Sequence, residues 1–291
     1  MNTTAGNKKY ELLLISVIAA RATSFIFSKM ILESITPFNL LAVRFIIAFI
    51  LLALIFNKTV RSLTGRDLMA GFAIGTAFFI TMSCEMKALT QAASSLVSLL
   101  ENCAIIFVPL LELILFKKFP TKITVISTGL AMLGVVLLAL SQGGLSGGFT
   151  WGLLAGLCYA GAIIVTERLS HGSNSTLGIG IVQIGTMGAL SFLAVLLSEQ
   201  PQLPQTGAQW LMLAVLIIVC TGFGFTLQPM AQSHVTAARA GLFCAVSPAI
   251  ATLLGVTVLD EPFGLLDVLG LVLILASIAL PYVRKGESVN E

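Results

Sequence analysis

Apolar residues in this chain fall into runs of about 17 to 25, the length that crosses a hydrocarbon layer of about 30 Å as helix, with only short polar breaks between them. Ten such runs lie at 12–32, 37–56, 68–87, 92–115, 123–140, 149–169, 176–197, 209–231, 237–258 and 265–283. That pattern confines the chain to a helical bundle in a bilayer. Backbone groups in lipid must be satisfied within each segment, and the short alternating segments of a membrane barrel are absent. Composition agrees: 10% of the 291 residues are charged, 57% are hydrophobic and mean hydropathy is +1.02, whereas about a quarter of a soluble domain is charged. The net charge of +3 comes without any basic run interleaved with aromatics, which excludes a nucleic-acid surface.

Cys84, Cys103, Cys158, Cys220 and Cys244 all sit inside apolar runs and lack the CxxC or Cys/His spacing that zinc requires. They read as small buried hydrophobes, and no metal or cofactor is expected. The first run is interrupted by Arg21 and has no small-residue cleavage pattern after it, so it reads as a retained helix rather than a secretion signal. No GxxxxGK[ST] loop is present, so ATP is not the immediate drive of any activity.

Lys and Arg residues are unevenly placed. With the N-terminus in the cytoplasm, the inner loops and ends hold Lys8, Lys9, Lys58, Arg61, Arg66, Lys117, Lys118, Lys122, Arg168, Arg239, Arg284 and Lys285, leaving Lys29, Arg44 and Lys87 toward the outside. That bias predicts a multi-pass inner-membrane protein with both termini cytoplasmic. The chain also reads as a duplication. Ala88-Leu89, Ala92-Ala93, a long helix and Phe116-Lys117-Lys118-Phe119-Pro120 are repeated as Ala231-Gln232, Ala237-Ala238, a long helix and Leu259-Asp260-Glu261-Pro262-Phe263. Five helices is an odd number, so the halves 1–145 and 146–291 must point oppositely through the membrane. The fold expected is an all-α membrane protein of ten transmembrane helices, built as two inverted five-helix repeats around a central cavity.

Several short motifs fall in a telling order: Lys29 with Ile35-Thr36-Pro37-Phe38 and Arg44-Phe45; Phe107-Val108-Pro109-Leu110-Leu111 with Lys117-Lys118; Gln228 with Ala231-Gln232; and Ser247-Pro248-Ala249 running into Asp260-Glu261-Pro262 and Leu269-Gly270. On these the chain resembles the drug/metabolite transporter superfamily, in its ten-helix form built from two EamA-type halves. The resemblance implies a cavity lined mainly by segments one, three, four, six, eight and nine that opens alternately to each side. It also implies a small-metabolite cargo, often an amino acid moved outward. Where relatives usually carry a Trp-Gly pair in segment one this chain has Arg21-Ala22, and Glu101 replaces a small or apolar residue.

An Arg at mid-span costs about 2.5 to 3.5 kcal/mol on insertion scales, so Arg21 must be paired or wetted. Two readings stand beside each other. Arg21 can take a substrate carboxylate or phosphate in its planar fork while Glu101 takes an ammonium or a proton. Alternatively, the two form a buried ion pair that only fixes packing. Glu85 occupies the repeat position of Gln228, and Tyr159 that of Arg21, which makes all five substrate-binding candidates. Lys29, Glu33 and Lys87 read as interfacial snorkelling side chains. Arg44 is expected to bind carbonyls or the adjoining loop. His171 and His234 lie at inner loop ends, away from any clustered acid/base chemistry, which argues against an intramembrane enzyme. Glycine pairs such as Gly71 with Gly75 predict close helix packing, and Pro109 and Pro248 predict kinks beside the cavity. The expected activity is secondary transport of a small polar metabolite, an amino acid by preference and an amine or other charged metabolite as the alternative, with protons as a second cargo. The chain is expected to work in the bilayer as monomer or homodimer.

Overall fold

The computed structural model describes residues 3–117, 119, 121–141, 147–171, 173, 175–237, 240, 243 and 246–287. Lys118, Pro120, Ala238, Arg239 and Cys244 lie outside the described residues. The first apolar run forms α1 (Thr3–Ala22) and α2 (Ser24–Leu32), followed by α3 (Pro37–Ile55), the short α4 (Asn57–Arg61) and α5 (Gly65–Leu89). The fourth run forms α6 (Ser94–Glu101) and α7 (Ala104–Phe116), and α8 (Lys122–Ser141), α9 (Gly147–Ser170) and α10 (Thr176–Ser198) follow. The eighth run comprises α11 (Gly207–Val215), a π-helical stretch (Leu216–Phe225) and α12 (Thr226–Gln232), and the chain ends in α13 (Val246–Val258) and α14 (Leu265–Glu287).

Among the described residues, every regular element is helical, and seven spans are long and apolar enough to cross a membrane. They match expected segments one to four and six to eight. In the fifth and tenth expected segments the described apolar runs are shorter, Val125–Gly134 and Leu265–Ser277. Leu54, Ile114, Leu197 and Leu211 point outward with about 70% or more of their surface exposed. In water such a surface would aggregate, whereas in a bilayer it is the ordinary exterior.

Local chemistry sets the helix ends. Pro37 opens α3, where its missing N–H is harmless. Thr64 with Asp67, and Thr206 with Gln209, form reciprocal capping boxes at α5 and α11. Lys117, after α7, and Asp260, after α13, both take left-handed backbone conformations, with φ of 54° and 50°. Inside, α5 packs between α9 and α10, α3 lies on α10, and α8 pairs with α14. Gly71 and Gly75 let α5 approach α10 closely, since a Cβ on Gly75 would fall 2.6 Å from the Gln183 carbonyl.

Three spans are broken part-way along their length. α1 gives way to α2 at Thr23, whose hydroxyl donates back to the Ala20 carbonyl at 2.8 Å. α6 stops at Glu101, and Asn102 donates its amide to the Ser98 carbonyl at 2.7 Å before α7 begins. The eighth span widens into the π-helical stretch, a form that concentrates at functional sites. Pro109 lies inside α7, and the same span is broken more than a turn before it, at Asn102–Cys103.

The bundle is tied at both ends. At one end Lys29, expected to snorkel, instead donates to the carbonyls of Leu89 and Ala92 at 2.6 and 2.8 Å, capping the last turn of α5. Beside it, Glu261 accepts from Ser94 N (2.6 Å), Ser94 Oγ (2.7 Å), Ser95 N (3.0 Å) and Ser95 Oγ (2.5 Å). Glu199 holds the start of α3 similarly, accepting from Thr36 Oγ1 at 2.6 Å and Asn39 N at 3.0 Å. At the other end Tyr10 and His234 stack at 3.7 Å, and His171 Nδ1 lies 3.1 Å from the Ser233 carbonyl.

Candidate functional site

Arg21 sits in the last turn of α1, just before the break at Thr23, and is only 8% exposed. Its stem can lie there because residue 224 of the π-helical stretch is glycine: a Cβ at that position would come 2.7 Å from Arg21 Cγ. The guanidinium carbon lies 4.1 Å from the Phe225 ring centroid, 5.2 Å from Tyr159 and 5.3 Å from Phe78. These rings supply negative faces to a cation taken out of water. Nη1 donates to Gln228 Oε1 at 2.8 Å and to the Tyr159 hydroxyl at 3.0 Å. Three of the sequence candidates, far apart in the chain, thus meet on one guanidinium.

Glu101 ends α6 at the second break and is 3% exposed, and Glu85 on α5 is 1% exposed. Their carboxyl groups lie within hydrogen-bonding reach of each other and within charge–charge range of Arg21. Glu85 Oε1 and Glu101 Oε2 are both buried with no hydrogen-bond partner among the described residues. Gly156 makes this placement possible: a Cβ there would fall 2.5 Å from the Leu100 carbonyl, so only glycine lets α9 press against the backbone where α6 ends.

Arg21, Glu85, Glu101 and Tyr159 line one cavity together with Ile18, Ser24, Phe25, Asn102 and Ser247. Its space for water centres is about 10 Å³, which is room for one water. The cavity thus gathers one guanidinium and two carboxyl groups in its lining. Arg21 and Glu101, for which the sequence left open substrate binding or a mutual ion pair, line this space together, and Arg21 Nη1 donates to Tyr159 and Gln228. Asn102, Ser24 and Ser247 were not legible as lining residues, because a small polar residue in an apolar helix is common. The signal that could have found Asn102 is its position directly after Glu101.

One other expectation is revised. Arg44 is fully buried and donates from Nε to Thr221 Oγ1 at 2.8 Å, rather than to carbonyls or a loop. Lys87 lies over the Trp151 ring at 5.1 Å, and Arg168 covers Phe116 at 3.2 Å. Among the described residues, no group of three or more His, Cys, Asp or Glu side chains is gathered for a metal.

Ionisable side chains buried at breaks in membrane-spanning helices, around a small polar cavity, define a membrane transport protein. The chain belongs to the EamA-like transporter family, whose model matches residues 8–140 and again residues 146–283. An uncharacterized transporter of Bacillus subtilis (strain 168), YetK, is 24% identical over 289 residues, covering 94% of this chain and 87% of that protein. A protein of known crystal structure shares the fold, with a TM-score of 0.72 at 17% identity over 95% of this chain and 98% of that one.

Proposed function

We propose that this chain is a secondary active transporter, an exporter or exchanger, whose cargo is a small zwitterionic metabolite of the amino-acid class. The observation that carries the reading is the gathering of opposite charges around one buried cavity, Arg21 with Glu85 and Glu101. A substrate carboxylate would replace the neutral acceptors on the Arg21 fork, and its ammonium would lie against the carboxyl pair. Tyr159 and Gln228 hold the guanidinium in place between cargoes. Two carboxyl groups in contact share a proton, because like charges that close do not both ionise. Entry of an ammonium displaces that proton, which gives antiport.

The transport cycle proposed is alternating access of two inverted five-helix halves, 1–145 and 146–291, ten transmembrane helices in all, with both termini in the cytoplasm of an inner membrane. Support comes from the two successive family matches and from the left-handed residues Lys117 and Asp260, which stand at corresponding places of the repeat. The cavity of about 10 Å³ is too small for an amino acid, and both ends of the bundle are tied, which supports reading this conformation as an occluded one. A second reading, an organic amine, is favoured by one observation: two acidic groups face a single guanidinium at the cavity. An amine cargo would survive Arg21→Gln, whereas an amino acid would not.

The test is uptake of a labelled amino-acid mixture into proteoliposomes under an imposed pH gradient. Wild-type protein should accumulate label, and Glu101→Gln should abolish proton-driven accumulation while keeping its fold. Uptake that Glu101→Gln leaves unchanged removes this mechanism.

A further inference from the structure

We propose that Arg44 is the counter-charge of Glu85, a positioning residue that receives the Glu85 carboxylate when the Glu85–Glu101 pair gives up its shared proton. Arg44 on α3 is 0% exposed, and its Nη1 and Nη2 are buried with no hydrogen-bond partner among the described residues. Among the described residues its side chain makes one hydrogen bond, from Nε to Thr221 Oγ1, and the rings of Phe45 and Phe225 lie 5.0 and 5.8 Å from its guanidinium carbon. Aromatic faces soften a buried cation, but they do not accept the fork of a guanidinium as a carboxylate does. A fully buried guanidinium so placed requires an anion.

Glu85 supplies one. It is 1% exposed, its Oε1 also lacks a hydrogen-bond partner, and it lies within charge–charge range of Arg44. Two unmet halves of an ion pair therefore share one dry interior. The groups facing Glu85 are Arg21 from α1, Arg44 from α3 and Glu101 from α6; Tyr159 on α9 lines the same cavity, and Cys220 lies near Arg44 from the π-helical stretch. With one proton shared between Glu85 and Glu101, the two arginines outnumber the carboxylates by one charge. Loss of that proton to the cavity balances the four groups, and rotation of the Glu85 side chain from Glu101 toward Arg44 then joins the two unmet partners. Phe225, packed against both guanidinium groups, links this movement to Arg21.

The inference rests on Glu85 and Glu101 as the proton-carrying pair, and not on which cargo is moved. It is tested on purified full-length protein by a double-mutant cycle of Arg44→Gln and Glu85→Gln, read by thermal unfolding at high and low pH. The infrared C=O band of protonated carboxyl groups is followed on the same samples. At high pH, Arg44→Gln should lower the melting temperature, and adding Glu85→Gln should recover most of the loss. The carboxyl band should persist to higher pH in Arg44→Gln than in wild type, and return to the wild-type titration in Arg44→Lys, which also serves if Arg44→Gln does not fold. An additive cycle with an unmoved band overturns the role of Arg44 and leaves the transport reading standing. A wild-type band that neither Glu85→Gln nor Glu101→Gln changes overturns both.

Discussion

The tie between Glu261 and the start of α6 joins residues 166 and 167 positions apart, and its removal has a calculable effect. One carboxylate accepts four hydrogen bonds, two from backbone N–H groups and two from hydroxyls, at 2.5 to 3.0 Å. Glu261→Gln keeps the shape but turns one acceptor into a donor. The serine hydroxyl facing it can rotate, whereas the backbone N–H facing it cannot, and an unsatisfied donor costs about 1 to 3 kcal/mol. Loss of the negative charge at the helix start removes about 0.3 to 1 kcal/mol more. The sum, about 1.3 to 4 kcal/mol, corresponds to an increase in local opening of about 10- to 700-fold. Hydrogen exchange at the amides of Ser94, Ser95 and Val97 reads this directly. Exchange within about threefold of wild type, a difference of under 1 kcal/mol, would refute the reasoning, because the bonds would then contribute nothing to closure.

Other perturbations follow from the same geometry. Gly156→Ala should destabilise by about 1 to 3 kcal/mol, since the added methyl meets backbone rather than a movable side chain, and thermal unfolding in detergent checks it. Gln228→Leu should cost about 1.5 to 3 kcal/mol as a lost bond to a charged group, and Tyr159→Phe should cost less, because Gln228 makes the shorter bond to Arg21; chemical denaturation of the two variants ranks them. Lys29→Met removes the donor to Leu89 and Ala92 and should raise hydrogen exchange at the end of α5 about tenfold, as about 1.4 kcal/mol implies.

Much of the site was legible because charge in an apolar span is costly. Arg21 and Glu101 stood out on that ground alone, and the internal repeat pointed to Tyr159 and Gln228 through their register. The breaks in the helices were not legible. Thr23 and Asn102 carry no proline or glycine signal, and a side-chain bond back to the preceding turn, which each of them makes, also occurs in unbroken helices. The caps by Glu199 and Glu261 were hidden for a different reason. Each sits in a loop more than 150 residues from the helix it holds, where an exposed acid reads as solvated. Arg44 was read as a local anchor because its neighbour Thr221 belongs to a π-helical stretch that the hydrophobic pattern does not distinguish from an ordinary span.

The central claim is that Arg21 holds the cargo's carboxylate opposite an acidic pair. It is tested most directly by the shift in melting temperature that amino acids cause in purified protein, compared among wild type, Arg21→Gln and Glu101→Gln. The account predicts a concentration-dependent rise in wild type that is lost in both variants, with organic amines lacking a carboxylate causing no rise in any of them. A rise of wild-type size in Arg21→Gln would contradict it.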